Sequence, residues 1–418
     1  MLVNSITAQS ILTSLFNSSS RIDDFTMSLD GTAYLAANGP DAVYKSSDGG
    51  VTYNLSLNLA SVSNIYLRSI KAMGDSVVIL GTLTRNHTMY RSLDAGSTWQ
   101  NISPNLPDSV YAICGLSVVG DSLIYGTGRY FGDAYLIKSS DLGESWQYID
   151  MRPWASNLVD VHFFTDKHGY VVGRAPDANQ GAILLETTDG GSSWTTKWVS
   201  GVSGDRAWKF FKRDAAHFYV SLENFQPIAN RYFASTDSGN TWYVDTMGNM
   251  NLPMLQSVGF INADTGFAGG HFSGYMYTYD GGVNWQLTGP FQGFNRMILL
   301  GDRLFMSGNS LCYFGPANSL SVEPVSTALV RQHALQLIYP NPSESGELIK
   351  ARFKAGKGTN IGFSLSDFSG KVIYDWPNMQ AAAGTTDFEL RLPPLAKGMY
   401  VLVAYTDSEH HQQKLLIR

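Results

Sequence analysis

One short pattern recurs six times along this chain, and its spacing constrains the fold more than any other feature. It reads Ser/Thr-x-Asp-x-Gly followed by an aromatic residue three positions on, in the segments Ser46 to Tyr53, Ser92 to Trp99, Ser139 to Trp146, Thr187 to Trp194, Ser235 to Trp242 and Thr278 to Trp285. The aspartates Asp48, Asp94, Asp141, Asp189, Asp237 and Asp280 are separated by 46, 47, 48, 48 and 43 residues. A period in this range belongs to arrays in which each repeat buries its apolar face against its neighbours. The chemistry of each copy is that of a hairpin turn: the carboxylate can accept bonds from turn amides, and glycine tolerates a positive φ. The aromatic residue that follows carries enough apolar area to wedge one repeat against the next.

A second signal runs in phase with the first. Short apolar runs at Thr32–Ala36, Ser76–Leu80, Ser122–Tyr125, Gly169–Gly173, His217–Ser221, Gly266–Gly269 and Arg303–Ser307 give seven strands for six turns. With 41 glycines and 12% aromatic residues, the composition favours strands and tight turns. Each repeat then lays out as a four-stranded blade. The seventh stops near Gly315 after about three strands, and Ile6 to Phe16 is available as its missing outer strand. Joining the two ends of the domain in one blade leaves no free sheet edge. The expectation is an all-β chain whose residues 1–316 form a seven-bladed β-propeller.

The repeated element resembles the Asp-box, or BNR, repeat of sialidase-like β-propellers. The blade pattern, best seen in Asp166–Gly173 and Asp264–Gly270, is similar to the photosystem II assembly-factor branch of that group. That resemblance implies a protein-binding scaffold. It also implies that the turns lie on one rim, while the ligand face is made by loops entering the innermost strands and loops joining second and third strands. Sialidases, which share the turns, use an arginine triad, a Tyr with a Glu partner and an Asp acid; here Arg21 is followed by Ile22 and Asp23 where their first blade has Arg-Ile-Pro.

After Gly315 the period ends. Residues 317–334 read as a linker, and 335–418 as a small Ig-like antiparallel β-sandwich with alternating runs at Lys350–Phe353, Gly362–Leu365, Val372–Tyr374, Asp387–Leu390, Met399–Val403 and Lys414–Ile417. Turns are expected at Ser369-Gly370, at Lys397-Gly398 and at His410-His411. Tyr339-Pro-Asn-Pro342, Ser366–Ile373, Leu395–Val401 and Gln413–Arg418 resemble the C-terminal sorting domain of the type IX secretion system. The resemblance implies a protein of Bacteroidetes that is secreted or held on the cell surface, handled by the secretion machinery through 335–418, with an export signal upstream of a start that shows none.

Charge and motifs narrow the function. With 29 Lys and Arg against 35 Asp and Glu the net charge is −6, which argues against nucleic acid as a partner. No run approaches the roughly 18 apolar residues of a membrane span. Cys114 and Cys312 read as small buried residues, and no His, Cys or carboxylate cluster has metal-ligand spacing, so neither metal nor cofactor is expected. On the ligand face the pattern places Arg85, Arg129 and Arg174 after the second strands, and Arg68, Arg206 and Arg296 at the innermost ones. Planar guanidinium forks suit carboxylates and phosphates. These six are the candidate ligand-binding residues, the ligand a glycan or a protein bearing negative charge. The alternative is a glycoside hydrolase, sialidase-like or xyloglucanase-like. It needs two carboxyl groups across a sugar, for which Asp160 and Glu223 are the weak candidates.

Overall fold

The computed structural model describes residues 12–315 and 333–418 except for 18–20, 28–31, 49, 51, 225–228, 249–253, 272–273, 289–292, 340–342, 356–357, 367–371 and 407–409. The chain divides into two compact units, Met1–Pro324 and Val325–Arg418. Among the described residues the first unit contains seven four-stranded antiparallel sheets. Their innermost strands are Ile22–Met27, Leu67–Met73, Gly115–Val119, Asn157–Phe163, Arg206–Lys212, Leu255–Phe260 and Phe294–Leu300. Each of these contacts the next, and the last contacts the first, so the sheets close into a propeller.

Burial explains the strand order within a sheet. Second strands such as Val77–Thr82, Phe218–Glu223 and Gly266–Gly270 are buried along their whole length, covered on both faces by neighbouring sheets. Fourth strands such as Asn54–Asn58 and Tyr243–Thr246 are mostly exposed. In the last sheet this outer place is filled by Thr13–Asn17, which pairs with Ser310–Phe314 from Thr13 opposite Tyr313 to Asn17 opposite Ser310. The early part of the expected closing segment, residues 6–11, lies outside the described residues.

The aromatic residues of the turns wedge between sheets, touching their own and the one before. Trp194 meets Phe163, and Trp242 faces Tyr170 and Phe218. Tyr53, in the first sheet, faces Phe16 of the closing strand. Both cysteines are buried and unpaired.

The second unit holds a three-stranded sheet of His333–Tyr339, Leu348–Ala355 and Gly384–Arg391, and a four-stranded sheet in the order Val372–Ala381, Thr359–Ser366, Gly398–Tyr405, His410–Ile417. Ile349, Phe353, Phe363, Leu365 and Leu402 are fully buried in its core. His410 and His411 belong to a strand rather than a turn: they pair with Tyr405 and Ala404. Most of the expected linker, the turn at Ser369-Gly370 and Pro340 to Pro342 lie outside the described residues.

Candidate functional site

The site begins with an irregularity in the innermost strands. Six of the seven break register with their second strand near their start: between Ile22 and Asp24, Leu67 and Ser69, Leu158 and Asp160, Ala207 and Phe210, Leu255 and Ser257, and Phe294 and Arg296. A bulge leaves a residue unpaired and re-aims its side chain. The skipped residues are Asp23, Arg68, Val159, Trp208 with Lys209, Gln256 and Asn295. In the remaining sheet Cys114 stands just before the strand, its amide shared between the carbonyls of Thr127 and Gly128.

These side chains meet. Arg68 Nη1 donates to Asp23 Oδ1 at 2.7 Å, and Arg68 Nε to Cys114 Sγ at 3.4 Å. Trp208 Nε1 donates to Asn295 Oδ1 at 3.1 Å, and Asn295 Nδ2 bonds the Asp23 carbonyl. Arg21 reaches both Asp23, at 2.6 Å, and the Gln256 side-chain carbonyl. Gln256 Nε2 in turn donates to Glu223 Oε1 at 2.9 Å. One layer of unlike residues from seven sheets thus crosses the central opening.

Next to it lies a buried ion cluster. Arg296 Nη1 and Nη2 clamp Asp160 at 3.0 Å each, while its Nε donates to Asp24 at 2.9 Å. Lys71 adds a 3.2 Å contact to Asp24. Adjacent innermost strands share no backbone ladder, and these carboxylates supply the missing links: Asp24 accepts the Ile70 amide of the next sheet, and Asp160 the Phe210 amide. Gly115 makes room for Asp160, since a Cβ there would stand 2.8 Å from the Asp160 Cα.

Electrostatics divides the carboxyls. Burial by itself would raise Asp23, Asp24 and Asp160, but Arg21 and Arg68 around the first, and Arg296 with the lysines around the others, hold all three below the ordinary range. Glu223 goes the other way: burial raises it, and Gln256 and Arg206 only partly oppose that. The Arg206 contact is long, 3.4 Å.

Of the six expected arginines, the structure brings Arg68 and Arg206 together. Their guanidinium carbons lie 5.8 and 5.6 Å from the centre of the Tyr130 ring, within cation–π range. Tyr130 also leans on Trp208 at 5.2 Å and Phe131 at 4.5 Å. Arg129 joins this rim, 4.4 Å from the ring centre of Phe131 and 4.9 Å from that of Tyr111. Arg85 is exposed beside a groove lined by Ser103, Leu106 and Val110. Arg174 ends its strand opposite Asn157. Arg296 is buried on Asp24 and Asp160, so Asp160 too is engaged by a cation. Sequence reasoning missed Lys71, Lys209, Gln256 and Asn295. The signal was a polar pair interrupting strand alternation at one phase of the repeat: Asp23-Asp24, Arg68-Ser69, Gln256-Ser257, Asn295-Arg296.

Each turn, by contrast, satisfies itself. In the second, Ser92 Oγ donates to Asp94 at 2.8 Å, the Gly96 amide to Ser92 Oγ at 2.7 Å, and the Thr98 amide and hydroxyl to Asp94 at 2.8 and 2.6 Å. The Thr98 hydroxyl and amide hold the Asp94 carboxyl down at about 2, and Ser193 does the same for Asp189.

Residues 337–418 match the secretion system C-terminal sorting domain. That match indicates export by the type IX route, to the outside or the outer surface. Residues 137–215 match the photosynthesis system II assembly factor YCF48. Among solved structures, YCF48 bound to D1 peptide is similar with a TM-score of 0.54 at 14% identity, covering 73% of this chain and 96% of that one. YCF48 from Cyanidioschyzon merolae gives 0.54 at 18%, covering 74% and 99%. The GH74 xyloglucanase from Xanthomonas campestris gives 0.51 at 13%, covering 82% of this chain and 59% of that one. At these identities the likeness is one of fold, an all-β propeller. A search of curated proteins by sequence finds no match. Among the described residues no helix is long and apolar enough to cross a membrane.

Proposed function

We propose that this chain is an exported binding propeller whose central mouth recognises an anionic segment of another protein. The observation that carries the reading is the convergence of Arg68 and Arg206 on Tyr130, with Arg206 Nε buried and without a hydrogen-bond partner. A ligand carboxylate can accept from Arg206 while a flat or aliphatic neighbour packs on Tyr130, Phe131 and Trp208. Phe131 is 51% exposed and free to be covered. The match to YCF48, one structure of which holds a D1 peptide, supports a polypeptide over a glycan. Of the two carboxyls the hydrolase alternative would use, Asp160 is clamped by Arg296 at 3.0 Å, which leaves Glu223 without its partner across a sugar.

The test is a random-peptide array probed with the purified protein. Acidic peptides should be enriched, and Arg206→Gln with Arg129→Gln should lose at least tenfold in affinity, as expected when charge-assisted bonds worth about 1.5–3 kcal/mol each are removed. Enrichment of neutral sequences, or binding indifferent to both substitutions, contradicts the reading. Turnover of a polysaccharide panel abolished by Glu223→Gln replaces it with the hydrolase.

A further inference from the structure

Around the central opening the cations outnumber the carboxylates. Arg21, Arg68, Lys71, Arg206, Lys209 and Arg296 stand in ion-pair contact with only Asp23, Asp24, Asp160 and Glu223. Besides Arg206, two of these cations retain buried donors without a hydrogen-bond partner. Arg68 spends Nε on Cys114 and Nη1 on Asp23, while its Nη2 is buried with no hydrogen-bond partner. Lys209 Nζ makes no hydrogen bond; its nearest carboxylate oxygen, on Asp160, is 3.7 Å away and already clamped by Arg296. The residues are only 2% and 3% exposed.

Both extend from bulges in the same layer, and both neighbour Trp208: the Arg68 guanidinium lies 5.1 Å from its ring centre, and Lys209 follows it in the chain. Burial first, then Arg296 and Arg68 among its neighbours, bring the Lys209 ammonium down to about 8 in spite of Asp160 and Asp24. Buried charges left without partners are costly, and proteins pair them or bring in a counter-ion. The Asp23 carboxylate cannot serve, since Arg21, Arg68 and Asn38 already occupy it.

We propose that the channel holds a resident monovalent anion of halide size between Arg68 Nη2 and Lys209 Nζ, walled by Cys114, Val159 and Trp208. Those three form one buried apolar cluster, which suits a small, weakly hydrated ion rather than a phosphate. The charge count fits: Arg206 has Glu223, whereas Arg21 and Arg68 share Asp23, and Lys71, Lys209 and Arg296 share Asp24 and Asp160, so each of these two groups has one cation in excess. The ion would fix the Arg68 guanidinium against Tyr130 from below.

The proposal does not depend on what the mouth binds, and two measurements test it. Crystals of the full chain grown in sodium bromide should show an anomalous peak in contact with Lys209 Nζ and Arg68 Nη2. The melting temperature should rise saturably with bromide or chloride, but not with gluconate at equal ionic strength, as for a ligand of the native state. Lys209→Met should flatten the halide curve; if that variant does not fold, the peak and the wild-type curves decide. Absence of the peak, or halide and gluconate curves that superimpose, overturns the site. Peptide binding measured in gluconate reports separately on the mouth.

Discussion

The propeller carries two rings of polar residues that obey opposite rules. In the turn ring the same four side-chain and backbone bonds recur from copy to copy, on exposed or half-buried aspartates, with glycines held at φ between 79 and 97° from Gly96 to Gly282. In the bulge ring the backbone irregularity repeats, yet the residues it presents are Asp, Arg, Val, Trp with Lys, Gln and Asn, all buried. Repetition marks parts that build each blade and need nothing from the others. Divergence at a fixed position marks parts that must fit one another, or something else, across the axis.

Substitutions can break this contrast. The largest effect is expected from Arg296→Met, which removes the guanidinium that Asp24 and Asp160 share and leaves these buried carboxylates only the longer contacts of Lys71 and Lys209; urea denaturation should show a loss of about 3–5 kcal/mol. Next is Gly115→Ala, whose methyl group has to displace the Asp160 backbone, at about 1–3 kcal/mol for overpacking. Glu223→Gln should stabilise modestly at neutral pH. Its carboxyl is raised in the folded state, so the native protein binds the extra proton, and stability falls as pH rises through that raised value. The amide removes this slope, and pH-dependent melting of the pair of proteins checks it. The smallest effects belong to single turns. Asp94→Asn, Asp189→Asn and Asp237→Asn should lower the melting temperature by small and nearly equal steps. The stability these carboxylates supply is complete above their unfolded value near 3.8 and is lost as pH falls through about 2.

The two rings also differ in how far they could be read from sequence. The turn ring is local: donor and acceptor lie within four residues, so Ser92, Asp94, Gly96 and Thr98 declare the geometry by themselves. The phase of the apolar runs then places the strands, and a repeat one strand short points to the closing segment at Thr13–Asn17. The site resisted the same treatment. Arg296 has the chemistry of a ligand-binding arginine, and its partners Asp160 and Asp24 stand 136 and 272 residues away. Arg68 sits in a bulge, and Arg206, in register with Glu223, meets it over Tyr130 from another sheet; a bulge is a property of two paired strands, not of one stretch of chain. The polar pairs that mark the bulges were visible, but nothing local distinguishes them from solvent-facing alternation.

One experiment tests the division between the rings most directly. Affinity for acidic peptides selected on the array and melting temperature should be measured side by side for Arg206→Gln and Asp189→Asn. The expected result is that Arg206→Gln loses tenfold or more in affinity with little change in melting, while Asp189→Asn melts earlier and binds as before. Loss of binding in the turn variant with retention in the mouth variant would contradict it.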